Sequence, residues 1–270
     1  MVEENNLQVQ ISTLRKLLGG DAIATVVGKG YRFTPEIIIK TAAVAHNQQF
    51  SLHTQSNLPH HLGTLIGRER ELAQLELLLS EARLITVTGP GGVGKTRLML
   101  ACPHAIQATF SALAWLVALA NQTDPHMVAA TVAAAFRLEV NDASSATTTV
   151  MHYLRDKETL LLLDNCEHLV DAVASLVESL LAVSPQLQVI TASQDVLGLS
   201  GEQIFRVPSL LLPADDQVTA ETASRYGAIT LFNERARLGD PNFQCDDTNA
   251  ALITSICRRL DGIPLAIEMA

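Results

Sequence analysis

Eight consecutive residues constrain this chain more than any others: Gly89-Pro90-Gly91-Gly92-Val93-Gly94-Lys95-Thr96. They fit G-x-x-x-x-G-K-[ST], the spacing of a phosphate-binding loop. Glycines lack a Cβ, so such a loop can turn its backbone N–H groups inward around a polyphosphate. Lys95 supplies a point charge for the β- and γ-phosphates, and Thr96 a hydroxyl for Mg²⁺. The following helix offers its first N–H groups and its positive dipole end to the same anion. The flanks agree with this reading. Leu84-Ile85-Thr86-Val87-Thr88 is an apolar, β-branched run that reads as a buried parallel strand, and Arg97-Leu98-Met99-Leu100-Ala101 continues as a helix. A plain glycine turn between two core elements would explain the loop but not the Lys-Thr pair.

A second motif lies downstream. Leu160-Leu161-Leu162-Leu163-Asp164 is a run of four leucines ending in a carboxylate. That is the Walker B pattern, a hydrophobic strand delivering an Asp to phosphate-bound Mg²⁺. The other reading of Asp164 is a helix N-cap after a strand. Thr96 and Asp164 would both sit at the carboxyl ends of parallel strands, the usual ligand edge of an open α/β sheet. Leu113-Ala114-Trp115-Leu116-Val117-Ala118-Leu119, Leu187-Gln188-Val189-Ile190-Thr191 and Gln203-Ile204-Phe205-Arg206-Val207 read as further strands, and residues 127–136 as an Ala-rich helix. The expected fold is α/β: a P-loop domain over residues 61–215 with a parallel sheet flanked by helices. From about residue 216 the pattern turns helical, with amphipathic segments over 226–238 and 249–260.

Composition narrows the class. With 270 residues, 48% hydrophobic and 17% charged, the chain is globular rather than disordered. No apolar run reaches membrane-spanning length, the longest being 113–120, and residues 1–10 are too polar and acidic for a signal peptide. The expectation is a cytoplasmic protein with no membrane partner. Cys102, Cys166, Cys245 and Cys257 have no C-x-x-C spacing and read as free thiols in a reducing compartment. The net charge of −9 neither requires nor excludes nucleic acid, because binding charge can be local.

Residues 1–34 form a separate unit. Leu7, Ile11, Leu14 and Leu18 give one apolar helical face, and Gly19-Gly20 stops the helix. Ile23-Ala24-Thr25-Val26-Val27, Gly28-Lys29-Gly30 and Tyr31-Arg32-Phe33 read as strand, turn and return strand. Residues 35–60, opened by Pro35, are polar, unpatterned and linker-like. The helix and hairpin resemble the second half of an OmpR-type winged helix, its recognition helix and wing. That resemblance implies DNA as a partner: Val9, Ser12, Thr13 and Lys16 facing the major groove, Arg15 and Lys29 on phosphates. The first half of such a domain is missing here. A helix and hairpin without their packing partners are below the size at which domains fold alone.

The nucleotide part carries a second resemblance. Leu65-Ile66-Gly67-Arg68-Glu69-Arg70-Glu71, the phosphate loop and Gly262-Ile263-Pro264-Leu265-Ala266 together resemble the signalling ATPases called STAND or NB-ARC proteins. In those the G-R-E-x-E segment packs beside the adenine, although Glu69 and Glu71 suit a solvated helix start equally well. The resemblance implies ATP/ADP and Mg²⁺ as cofactors and a homo-oligomer in the ATP state. It gives a nucleotide-contact set of Gly89, Pro90, Gly91, Gly92, Val93, Gly94, Lys95, Thr96 and Arg97, with Gln194 where relatives carry a γ-phosphate-sensing Arg and Pro264 near the adenine. Thr96 and Asp164 form its metal side, and Lys95 and Asp164 its catalytic pair. Relatives place a second acid directly after the Walker B Asp. Here Asn165 stands there, and Glu167 is the nearest carboxylate that could take its place as a base. A neutral Gln194 cannot make the charge-assisted bonds of Arg, so hydrolysis is expected to be slow and γ-phosphate discrimination weak.

The leading expectation is therefore a nucleotide switch in a winged-helix transcription regulator, with residues 216–270 the start of a helical domain and the chain cut at both ends. A metabolic P-loop kinase is the alternative from another class, which would need lid arginines and an acceptor pocket; Arg225, Arg235 and Arg237 fall in the helical tail, and no acceptor motif stands out. A nucleotide-binding remnant without DNA output is the third.

Overall fold

A computed structural model describes residues 23–26, 30–33, 56–59, 63–106, 113–140, 142–214 and 219–270. The chain divides into two compact units, Met1–Leu52 and His53–Ala270. In the first, β1 (Ile23–Val26) and β2 (Gly30–Phe33) pair antiparallel, with Ile23 opposite Phe33 and Val26 opposite Gly30. These are the two strands the hairpin pattern called for, within one residue. Val9, Ser12, Thr13, Arg15, Lys16 and Lys29, the expected DNA contacts, lie outside the described residues.

The second unit is built on five parallel strands: β3 (Leu84–Thr88), β4 (Leu113–Ala118), β5 (Thr159–Asp164), β6 (Leu187–Ala192) and β7 (Glu202–Arg206). Their order is β4-β5-β6-β3-β7. Around them run α1 (Glu69–Glu81), α2 (Lys95–Ile106), α3 (Val128–Ala135), α4 (Ala143–Leu154) and α5 (Val170–Val183). Both faces of the sheet are covered, as parallel sheets require. The period of two along β5 makes this concrete. Leu160 and Leu162 enter a core with Leu75 and Leu79 of α1 and Leu98 and Met99 of α2. Leu161 and Leu163 enter the opposite core with α3, α4 and α5, where Trp115 and Phe136 meet edge-on at 5.1 Å. A run of four leucines is what a strand buried on both sides demands.

Two of these helices have no counterpart among the expectations. The sequence of α4 opens Ala-Ser-Ser-Ala-Thr-Thr-Thr, in which the five Ser and Thr residues are poor helix formers, and its start is set by the Asp142 carboxylate accepting from the Ser145 N–H at 2.8 Å. The buried positions of α5, Val173, Leu176, Val177 and Leu180, have helical spacing and were readable.

Beyond the sheet, α6 (Ala220–Ala223), α7 (Gly227–Gly239), α8 (Ala250–Arg259) and α9 (Pro264–Glu268) gather around a third core that includes Leu210, Ile229, Leu231 and Ile253. This helical core meets the α1 side through a glycine contact. Gly67, at φ +61°, is so close to the start of α7 that a Cβ there would sit 2.6 Å from the Gly227 Cα. Backbone cannot yield cheaply, so Gly67→Ala is expected to lower stability by about 1–3 kcal/mol, read from denaturant unfolding. An unchanged unfolding midpoint would contradict this close approach.

Among the described residues no helix is long and apolar enough to cross a membrane. All four cysteines are free, three of them buried. Burial pushes the Cys102 and Cys166 thiols up to about 12, which leaves them unreactive at neutral pH.

Candidate nucleotide site

The strand order brings the two motifs together. β6 lies between β3 and β5, with Ala192 in register with both Val87 and Asp164. The phosphate loop leaving β3, the Asp ending β5 and Gln194 just past β6 therefore share one edge. A cleft of about 290 Å³ opens there, walled by Lys95, Thr96, Asp164, Glu167 and Gln194 among others.

The loop has the backbone its glycines permit, with positive φ at Gly89, Gly92 and Gly94. Lys95 Nζ donates to the carbonyls of Gly89 (2.8 Å) and Pro90 (3.2 Å). The Thr96 hydroxyl donates to Asp164 Oδ1 at 2.7 Å. Asp164 is thus engaged across the cleft floor, not as a helix cap. Burial pushes its carboxyl above the usual carboxylate range, and the Thr96 hydroxyl and the Asn165 N–H offset part of that rise.

A carboxyl whose folded value is raised binds its proton more tightly folded than unfolded. Its charge therefore destabilises the free chain increasingly as pH climbs through the raised value, and the penalty vanishes below the unfolded value. Asp164→Asn is expected to raise the unfolding midpoint of the ligand-free chain at pH 7–8 and to weaken the Mg²⁺ dependence of nucleotide binding. The stability difference should close as the pH is lowered towards 4. A variant less stable at every pH would contradict this account.

The turn after Asp164 decides which acid faces the cleft. Asn165 has φ +59°, a left-handed conformation that Asn tolerates, and Cys166 is pinned by its N–H donating to the Ala192 carbonyl at 3.1 Å. Glu167 follows in the cleft wall, with Oε2 buried and without a hydrogen-bond partner among the described residues.

Of the expected contacts, Gly91, Gly92, Gly94, Lys95, Thr96, Arg97, Asp164, Glu167, Gln194 and Pro264 all line this one cleft. Gly89 and Pro90 serve Lys95 through their carbonyls. Val93 is fully buried, its side chain in the core beneath the loop, so only its backbone remains for a ligand. Its carbonyl accepts from Arg68 Nη2 at 2.9 Å. Arg68 is itself 3% exposed and pairs with Glu71 at 3.8 Å. Glu71 is therefore a buried partner of the loop support, while Glu69 is solvated. Burial pulls the Arg68 guanidinium below its ordinary value, and Glu71 partly restores it.

Beside the cleft, a narrower cavity of about 40 Å³ is lined by Leu65, Ile66, Val93, Leu210 and Leu231 together with Arg68, Arg97 and Glu268. Leu265, Glu268 and Arg235, none of them among the expected nucleotide contacts, complete the site. The Leu265 N–H donates to the Gly92 carbonyl at 3.1 Å, and a Cβ on Gly92 would sit 2.7 Å from the Leu265 Cβ. Glu268 pairs with Arg97 at 3.7 Å and with Arg235 of α7. Leu265 is the last residue of the G-I-P-L segment, Glu268 follows it closely, and Arg235 carries no motif signal.

These residues fit a Mg²⁺-bound nucleoside polyphosphate. A Cβ added to Gly91 or Gly94 would meet nothing within 4 Å, so the loop faces open space, and the orphaned Glu167 oxygen offers an acceptor within the cleft wall.

Residues 64–191 match the family of AAA ATPase domains. An uncharacterized protein of Mycobacterium tuberculosis is 38% identical over 238 residues, covering 88% of this chain and 55% of that protein. A second protein of the same organism, named as a candidate HTH-type transcriptional regulator, is 40% identical over 196 residues, covering 73% of this chain and 21% of that protein. The chain thus spans about half the length of the first of these relatives. The solved structure of Drosophila ORC bound to DNA superposes with a TM-score of 0.51 at 17% identity, covering 73% of this chain and 58% of that one. At that identity it speaks to the fold alone.

Proposed function

We propose that this chain, whose residues 64–191 match the family of AAA ATPase domains, binds ATP or ADP with Mg²⁺ as the regulatory switch of a winged-helix transcription regulator. The observation that carries this is the seat of α9 on the phosphate loop, through the Leu265–Gly92 hydrogen bond. Because Gly92 and Leu265 both line the cleft, a ligand that binds more tightly to one packing of the helical region than to another shifts that packing by the difference in affinity.

The roles follow from the geometry. Lys95 and the loop N–H groups hold the phosphates. Thr96 and Asp164 would hold Mg²⁺, which would supply positive charge against the phosphates. Arg68 stiffens the loop from behind. The base has the cavity walled by Leu65, Ile66 and Val93, with Pro264 nearby. Glu167 is the acid placed to orient water, since Asn165 is an amide. With Gln194 neutral, hydrolysis is slow and serves to reset the switch. Residues 1–34, by their resemblance to a winged helix, would supply DNA contact through Val9, Ser12, Thr13, Arg15, Lys16 and Lys29, a reading supported by the relative named as an HTH-type regulator. Self-association in the ATP state belongs to the same reading. The kinase alternative gains nothing: Arg225 is tied to Glu221, Arg235 to Glu268, and Arg237 Nε to the Phe243 carbonyl, so none waits over the cleft for an acceptor.

Hydrogen exchange tests the switch. With Mg-ATP and with Mg-ADP at saturation, the Leu265 amide and those of α9 are expected to differ in protection. Equal protection in both states, with both nucleotides bound, would sink the switch while leaving the site intact.

A further inference from the structure

The charges in the cleft wall are unbalanced. Its cations are Lys95 and Arg97, and its anions are Asp164, Glu167 and Glu268. Lys95 is committed to the loop, and Asp164 to Thr96. Gln194 brings no charge. Arg97 is divided: its Nη2 donates to the Thr64 carbonyl at 3.0 Å, and its Nη1 lies 3.7 Å from Glu268 Oε1. The same Glu268 oxygen accepts from Arg235 Nη2, while Arg235 Nε is buried with no hydrogen-bond partner among the described residues. Arg97 and Glu268 also line the narrow apolar cavity, so their ion pair stands at the junction of the two spaces. A ligand with an apolar ring in one and phosphates in the other must pass it.

We infer that Glu268 is a specificity-determining residue, setting the preference between nucleoside tri- and diphosphates by competing with the phosphates for Arg97, and that Arg235 tunes this competition from α7. The inference rests on the nucleotide reading above. Each phosphate adds negative charge to a space that already holds a carboxylate, and the triphosphate is penalised more than the diphosphate. Arg235 relieves the penalty by neutralising Glu268. Because α7 belongs to the helical core, movement of that core changes the charge presented to the nucleotide. By linkage, the nucleotide then biases the position of the core by the same factor. The Glu268 side chain is 28% exposed, so the effect is modest and falls with salt.

The experiment is calorimetric titration of the full chain with Mg-ATP and with Mg-ADP. Glu268→Gln is expected to lower the ratio Kd(ATP)/Kd(ADP) by about two- to fivefold, the range for partly exposed charge pairs. Arg235→Gln is expected to raise it by a similar factor, and the double variant to behave as Glu268→Gln alone. About 0.5 M salt should compress all these differences. A Glu268→Gln variant that changes both affinities by one common factor would mark a purely structural residue and overturn the inference. So would an Arg235→Gln effect that survives in the Glu268→Gln background. If Glu268→Gln fails to fold, Arg235→Gln and the salt dependence of the unmutated ratio decide, and a ratio unmoved by either overturns it. An unmutated chain that binds neither nucleotide overturns the nucleotide reading and this inference with it, whereas binding with an unmoved ratio overturns this inference alone.

Discussion

Lys95→Ala is expected to abolish the stabilisation that Mg-ATP and Mg-ADP would confer on the folded chain. A ligand present at about 100 times its dissociation constant, and bound only by the folded state, adds about 2.7 kcal/mol. For a unit of this size that is roughly 5–10 °C in unfolding midpoint, well above the scatter of a thermal melt. The variant should show none of it. The reason is placement: Lys95 is the one cation delivered by the phosphate loop itself, with Nζ held between the Gly89 and Pro90 carbonyls at the loop mouth. Alanine leaves the N–H groups but no charge for the outer phosphates. The ligand-free variant should still fold, because only two exchangeable hydrogen bonds are lost, at about 1 kcal/mol each. A variant that keeps the full nucleotide shift would show that the nucleotide sits elsewhere.

Leu162→Ala is expected to have the largest effect on the fold itself, about 2–5 kcal/mol of stability. Leu162 is fully buried in β5, a strand with neighbours on both edges and helices on both faces. No nearby loop can collapse into the space left by its side chain. The control is Leu77→Ala on α1, where the side chain is 60% exposed and the change should stay within about 0.5 kcal/mol. Denaturant unfolding of the two variants, side by side, reads both numbers. If Leu162→Ala cost no more than Leu77→Ala, the buried position of β5 would be wrong, and with it the presentation of Asp164 two residues on.

Much of the site was legible because its chemistry is contiguous. The loop from Gly89 to Thr96 carries its own backbone requirements, and four leucines before Asp164 mark a strand with both faces covered. Such signals lie within one element, where spacing and residue type fix local conformation. Helix α4 was not legible for the opposite reason, since its Ser and Thr residues favour other local structures and tertiary burial of Val150 and Leu154 overrides them.

What only the tertiary structure decided is which distant residues meet. Nothing local to 164–168 says that a left-handed Asn165 turns Glu167, and its unpaired oxygen, into the cleft wall. Nothing local to Arg68 says that it is buried against the Val93 carbonyl. Arg97, Arg235 and Glu268 are far apart in sequence and share one ion-pair network because α7 and α9 pack over the loop. The order β4-β5-β6-β3-β7 belongs to the same class. Each strand's spelling shows that it is buried, but the crossover helices and the fit of their apolar faces choose its neighbours. The sequence by itself thus determined the loop, the strand that presents Asp164 and the phosphate chemistry they imply. Packing determined the charge balance around them, because long-range pairs are set by the free energy of closing and burying the whole sheet, a sum that no short window of residues contains.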